Sequence, residues 1–367
     1  STGSLSTSTL PSGRGAAVRE EPARRTRSFT DLAQTVRTAG LNRRTPWFYG
    51  MVAAVLLLAL GGAVTGFVLL QDSWFQLLVA AALGIIFTQF AFLGHEASHR
   101  QVLASGPAND HLGRILAAFF VGISYSWWMT KHTRHHGNPN RVGKDPDIAL
   151  GTVAVTAHDA GASAGVRRWV VRRQGWLFFP LLLLAGLDLH QASIRTLFAR
   201  RHVPGRALEL VLIGVRFGGY LGLLFWLLPP GMAAAFLGVQ LAVFGVYMGA
   251  SFAPNHIGMP IVPADLRLDF LDKQVLTSRN VSGGWWMTVL MGGLNYQIEH
   301  HLFPGMPRPH LSRARRLVRQ HCAEHEVSYT ETSLPVALGI VVRHLNEVGL
   351  AASRSFRCPT SAGLGRR

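Results

Sequence analysis

Residues 47–99 read WFYGMVAAVLLLALGGAVTGFVLLQDSWFQLLVAAALGIIFTQFAFLGHEASH, and this stretch decides the fold. Trp47–Leu70 runs without a charge, Gln71-Asp72-Ser73 turns the chain, and Trp74–Leu93 again carries none. About 20 apolar residues at 1.5 Å rise cross the hydrocarbon of a bilayer, so the stretch reads as two spans and a tight turn. The pattern recurs once. Residues 207–228 and 232–253 are apolar blocks of similar length, joined by Pro229-Pro230-Gly231. Glu209 and Arg216 are the only formal charges inside them. A soluble core can hold one such helix, but four ask for lipid. The expected architecture is an all-α integral membrane protein with four transmembrane helices in two hairpins.

Composition agrees. The 367 residues are 49% apolar and 15% charged, yet 36 Lys and Arg against 19 Asp and Glu leave a net charge of +17. Such an apolar share excludes a disordered chain. Two cysteines, Cys322 and Cys358, exclude a disulfide scaffold. Neither short turn carries Lys or Arg, so 35 of the 36 basic residues fall on the side of the termini and central loop. The positive-inside rule makes that side cytoplasmic, in the cell membrane. The excess charge is thus a topology signal. Without a compact basic domain apart from the spans, no nucleic-acid partner is expected.

Residues 1–46, rich in Ser, Thr, Gly and Arg, read as a disordered basic cytoplasmic tail. Residues 47–309 form the membrane domain, and 310–367 a polar, basic cytosolic cap and tail with helical patterning at 311–325 and 336–348. Ile115–Trp128 and Trp176–Leu187 are apolar but too short to span, and are expected at the interface. Between them, Arg167, Arg168, Arg172 and Arg173 flank Trp169 in a basic patch suited to anionic head groups.

Sixteen histidines are the other oddity, and three clusters carry chemistry. They are His95-Glu-Ala-Ser-His99 after the second block, His132-Thr-Arg-His135-His136, and Gln297-Ile-Glu-His300-His301 after the fourth. One His-x-x-x-His pair is unremarkable in such a chain; His-x-x-His-His followed by a second x-x-His-His is not coincidence. Residues at i, i+3 and i+4 share a helix face, so each cluster aims its imidazoles at one point. Neutral imidazole ligates Fe, Zn, Cu or Ni. Seven imidazoles exceed one ion's needs and suggest two ions. A rival reading takes His95-Glu96-x-x-His99 as the H-E-x-x-H of a membrane zinc protease, with Glu96 as base, and leaves five clustered histidines without a job.

The order H-x-x-x-H, H-x-x-H-H and Q-x-x-H-H beside two hairpins resembles the membrane-bound fatty acyl desaturases, a family with a non-haem di-iron centre. The resemblance runs from about Trp47 to Pro309, and the tail resembles the family's cytosolic cap. It is most specific over Gly292-Gly293-Leu294-Asn295-Tyr296-Gln297-Ile298-Glu299-His300-His301-Leu302-Phe303-Pro304, which is similar to the acyl-lipid, front-end and bacterial acyl-CoA branch. Gly94–Gln101 and Trp127–Asn140 look most like actinobacterial acyl-CoA desaturases.

The resemblance implies iron ligation by His95, His99, His132, His135, His136, His300 and His301, and by His256 at the end of the last span. Gln297 stands where other branches have a ligating His. Phe252 stands where some members have a water-binding Asn. Asp145, Asp147 and Asn295 are candidates to orient the imidazoles, with a Lys-Asp-Pro-Asp turn the plain alternative for the two aspartates. Trp127, Trp128, Trp285 and Trp286 either line the acyl path or anchor at the interface. Lys131, Arg134, Arg141 and Lys144 either meet CoA phosphates or are solvated cations. The implied reaction is O2- and electron-dependent insertion of a cis double bond into a long-chain acyl group on CoA or a lipid, at two irons. The chain has neither a His-Pro-Gly-Gly haem motif nor a G-x-G-x-x-G fingerprint, so a separate electron donor is expected, which the resemblance implies is a ferredoxin or flavin reductase. A basic face suits an acidic one. A lipid hydroxylase of the same architecture is the nearest alternative.

Overall fold

The computed structural model describes residues 28–149, 151–199 and 202–353, and these are mostly helical. In chain order the longer elements are α1 (Pro46–Leu70), α2 (Gln76–Ser98), α3 (Gly106–Arg114), α4 (Tyr125–Gly137) and α5 (Gln174–Ala199). There follow α6 (Arg206–Leu227), α7 (Pro230–His256), α8 (Gln297–Leu302), α9 (Arg308–Glu324) and α10 (Leu334–Ser353). Pro46 and Pro230 open α1 and α7, where a missing N–H costs no helical hydrogen bond. Among the described residues the only sheet is a parallel pair, β1 (Asn280–Ser282) with β2 (Glu331–Ser333).

Among the described residues six helices are long and apolar enough to cross a membrane: α1, α2, α5, α6, α7 and most of α10. The segment Trp176–Leu187 is not a short interfacial piece, because it lies within the 26-residue α5. Asp188, His190 and Arg195 interrupt the apolar count without interrupting the helix. Ile115–Trp128 is instead cut in two. The π-helical Ile115–Val121 continues α3, Gly122 takes φ +92°, and α4 leaves at 114° to the preceding helix. Only glycine adopts that φ without strain, so the break is written at one residue.

The amino-terminal segment also departs from the disorder expected of residues 1–46. Residues 28–38 are helical, and Leu32, Val36 and Leu41 are buried against Leu271, Ile298, Leu302 and Val318. An apolar pair at i and i+4 is enough to dock one turn, though the average composition around it is polar. Residues 1–27 and 354–367 lie outside the described residues. Nor does a boundary fall at 309, since α9 begins at Arg308 and packs in the same cluster as α8.

The membrane-side core joins α1, α2 and α7 through Leu56, Phe67, Phe87, Phe90, Phe236 and Phe244. α7 is held from its other side by α5 at very close range. A Cβ on Gly245 would run into the Leu182 carbonyl and lie 2.7 Å from Gly186 N; one on Gly186 would meet Leu241 O at 2.6 Å. Small residues let helix backbones approach where lipid offers no hydrophobic drive. That contact fixes α7, and His256 is its last residue. Gly245→Val should therefore cost about 1–3 kcal/mol of stability, as overpacking does. Thermal unfolding in detergent tests this, and an unchanged midpoint would contradict the close approach.

Candidate metal centre

Four elements deliver nine side chains to one region. The last turn of α2 carries His95, and His99 caps it. α4 carries His132, His135 and His136; α7 ends in His256; α8 carries Gln297, His300 and His301. The imidazoles divide into two groups. In the first, one ligand atom each from His95, His99, His132, His136 and His300 lies within 4.8 Å of all the others. His135, His256 and His301 form the second by the same measure. The groups adjoin, with the rings of His136 and His301 stacked at 4.3 Å. Helical spacing explains the division. His132 and His136, four residues apart, share a face, and His135 is turned to the neighbouring one.

Outside the two groups, acceptors hold the outward ring nitrogens. His135 Nδ1 lies 3.0 and 3.1 Å from the Asp145 carboxylate oxygens and 3.3 Å from Asp147 Oδ2. His256 Nδ1 meets Thr277 O at 2.9 Å, and His301 Nδ1 meets Gln274 Oε1 at 2.9 Å. Carbonyl and carboxylate oxygens only accept, so each of these rings carries its proton on Nδ1. Their Nε2 atoms then face inward. Those of His135 and His256 face each other at 3.2 Å, and His301 Nε2 is buried with no partner. In the first group, His132 Nε2 is 3.0 Å from His95 Nε2 and 2.7 Å from His99 Nε2, and His300 Nε2 is 3.1 Å from His136 Nε2. Facing lone pairs repel unless a cation lies between them, and an all-imidazole donor set fits a first-row transition metal. Burial and the surrounding rings hold His300 and His301 well below the usual histidine range, neutral and ready to ligate.

Gln297 stands apart from the imidazoles. Asn255 Nδ2 donates to its oxygen at 3.0 Å, while its own Nε2 donates to His256 Nε2 at 2.9 Å. A ligating glutamine offers oxygen, and here the oxygen is turned to Asn255. Glu299 also faces away, accepting from Asn280 Nδ2 at 2.7 Å and Tyr329 OH at 2.8 Å. Burial pushes its carboxyl up to about 7. Asn295 is buried but bonds Thr288 Oγ1 at 3.4 Å rather than an imidazole.

The tryptophans separate by position. Trp128 stacks on His132 at 4.8 Å and, with Trp127, lines an apolar cavity of about 40 Å³ that His95, Phe92 and Phe252 also border. Trp285 and Trp286 are exposed, and Trp285 lines a separate groove beside Phe48 and Met51. Lys131 pairs with Asp147 at 2.8 Å. Arg134 and Lys144 are exposed and Arg141 is half-buried.

Sequence reasoning had no signal for Gln274, which binds His301 and also donates to His136 O at 2.9 Å, or for the Thr277 carbonyl. Nor did it foresee that Glu96 is engaged. Arg308 Nε and Nη2 donate to Glu96 at 2.7 and 2.5 Å, and Tyr49 OH to the same carboxylate at 3.3 Å, all buried. A zinc protease needs that glutamate free to take a proton from water, so the geometry removes the H-E-x-x-H alternative.

The comparisons with known proteins agree with the site. The family described as "Fatty acid desaturase" matches residues 72–333. A Delta(8)-fatty-acid desaturase of Helianthus annuus is 28% identical over 350 residues, 89% of this chain and 74% of its own. An acyl-lipid (9-3)-desaturase of Borago officinalis is 29% identical over 304 residues, 79% and 67% respectively. A Delta(5) fatty acid desaturase of Caenorhabditis elegans is 28% identical over 314 residues, 83% and 69%. The chain belongs to the fatty acid desaturase family. It is a membrane oxidoreductase acting on fatty acyl groups, with histidine clusters able to bind metal.

The hydrogen bond from His135 to Asp145 should matter to metal retention. Asp145→Asn, which weakens the acceptor and loses its charge, is expected to lower metal affinity about 10- to 100-fold. Metal per chain after dialysis against a graded chelator measures this; retention equal to wild type would remove Asp145 from the site.

Proposed function

We propose that the chain is a di-iron acyl desaturase that inserts a cis double bond into a long-chain acyl group on CoA or a lipid. His95, His99, His132, His136 and His300 hold one iron, and His135, His256 and His301 hold the other, with Gln297 beside it. The observation that carries this reading is the pair of imidazole groups, buried or half-buried, whose ring nitrogens face one another. Bound iron would supply what no side chain can, reduction of O2 with two electrons to remove hydrogen from an unactivated methylene pair. In the balance, two C–H bonds break and one C=C forms, while O2, two electrons and two protons leave with the two substrate hydrogens as two waters.

The chain's own residues position and exclude. Asp145, Thr277 and Gln274 fix three rings by their Nδ1 protons, so that ligands do not swing during turnover. Trp127, Trp128, Phe92 and Phe252 give the approach to His95 an apolar wall suited to an acyl chain. A redox partner, a ferredoxin or flavin reductase, delivers the electrons, and the net charge of +17 favours an acidic one.

Four crossings, α1, α2, α6 and α7, put both hairpin turns on one side and the termini and imidazoles on the cytoplasmic side. The absence of Lys and Arg from both turns supports this orientation. A cysteine at Ser73 should then react with an impermeant maleimide on intact cells, and one at Ser312 only after permeabilisation. The reverse order would invert the topology.

Expression in a desaturase-deficient host with a matched reductase tests the activity. The expected result is a new alkene, mapped by mass spectrometry of derivatised fatty acids, that disappears in His135→Ala, with about two irons per purified chain. No alkene in wild type, an oxygenated product instead, or an alkene that persists in His135→Ala would contradict the reading.

A further inference from the structure

A charge at membrane depth is expensive and faces a partner or a function. Glu209 and Arg216 are the two charges within the apolar block 207–228. They are two helical turns apart and so share one face of α6. That face meets the broken helix. Glu209 is 0% exposed and is aimed at the start of α4. It accepts from Ser124 Oγ at 2.5 Å, Ser126 Oγ at 2.7 Å, Ser126 N at 3.1 Å and Arg114 Nε at 3.3 Å. Arg216 is aimed at the end of the preceding half. Its Nε donates to Phe120 O at 3.2 Å, and its guanidinium lies between Phe87 and Tyr220, 4.4 and 4.2 Å from their ring centres. From α5, His190 Nε2 meets Val121 O at 3.1 Å.

The signs match the helix ends. A helix start exposes unpaired N–H groups and the positive end of its dipole; a helix end exposes carbonyls and the negative end. Here the carboxylate meets the start of α4 and the guanidinium meets the end of the π-helical segment. The 114° break is buried, with Val121, Ser124 and Glu209 all shut off from solvent, so its backbone groups need partners from the protein. Among the described residues no carboxylate pairs with Arg216, whose charge is met by this helix end and by the Phe87 and Tyr220 rings.

We propose that Glu209 and Arg216 form a sign-matched clamp across the break, and that Glu209 is a positioning residue for the second histidine box. α4 runs from the clamp at Tyr125 to His132 in two turns, and that helix supplies histidines to both groups. A rotation of its first turn therefore displaces ligands of both sites together. This rests on the reading that His132, His135 and His136 hold metal.

The test uses the full-length protein in nanodiscs, loaded with iron, as wild type, Glu209→Gln, Glu209→Asp and Ser126→Ala. Glu209→Gln keeps the shape and removes the charge. It is expected to fold, to shift the Mössbauer signature of the bound iron, and to lower kcat about tenfold or more with KM for the acyl substrate little changed. Glu209→Asp should restore most of the signature, and Ser126→Ala should move it the same way by less. A wild-type signature and kcat in Glu209→Gln would overturn the clamp. If Glu209→Gln fails to fold, Ser126→Ala decides: an unchanged signature there overturns the clamp, and a shifted one supports it. A wild-type chain that takes up no iron would overturn the metal reading itself, before any variant is compared.

Discussion

Eight imidazoles, buried or half-buried with their lone pairs turned inward, are the constraint on which the rest of this structure depends. Each ring alone is a modest polar group. Packed with facing nitrogens near 3 Å apart, they cannot share a small volume without protons or cations between them. The protein fixes the protons on the outside for His135, His256 and His301, through Asp145, Thr277 and Gln274. What remains inside is a set of ring nitrogens facing one another.

Much of the fold serves to bring four chain segments to that point. α2 and α7 descend from the apolar hairpins and bring His95, in the last turn of α2, and His256, the last residue of α7, to that point. α4 reaches it by turning 114° from the preceding helix at Gly122. α8 is pressed inward by the cluster of Leu32, Val36, Leu271, Leu311 and Val318. The Glu96–Arg308 pair then ties the end of α2 to the start of α9. A buried pair of this kind adds little net stability, but removing one partner strands a charge. Its value is registration of the first box against the third.

The hairpins and the boxes were legible because each rests on a local pattern: uncharged runs long enough for lipid, and histidines at helical spacing. His256 was legible only through the family resemblance, since a single histidine has no spacing to read. The elements missed share a different cause. α5 and α10 carry enough polar residues to fall below a purely apolar count, yet His190 bonds Val121 O, Ser193 accepts from Ser124 N and His344 bonds Val155 O, so the helices continue through them. Residues 28–41 fold because distant parts of the chain cover two or three apolar side chains. Gln274, Thr277 and Asn255 act through contacts between segments far apart in the chain, and no one-dimensional pattern records such a contact. Glu209 and Arg216 were visible as anomalies, but only the 114° break gives them a partner.

The central claim is that two ions sit in two unequal groups of imidazoles. Anomalous diffraction across the iron K edge, from crystals of the iron-loaded protein, tests it most directly. The account predicts two iron peaks, one among His95, His99, His132, His136 and His300 and one among His135, His256 and His301. A single peak, or a signal only at the zinc edge, would contradict it.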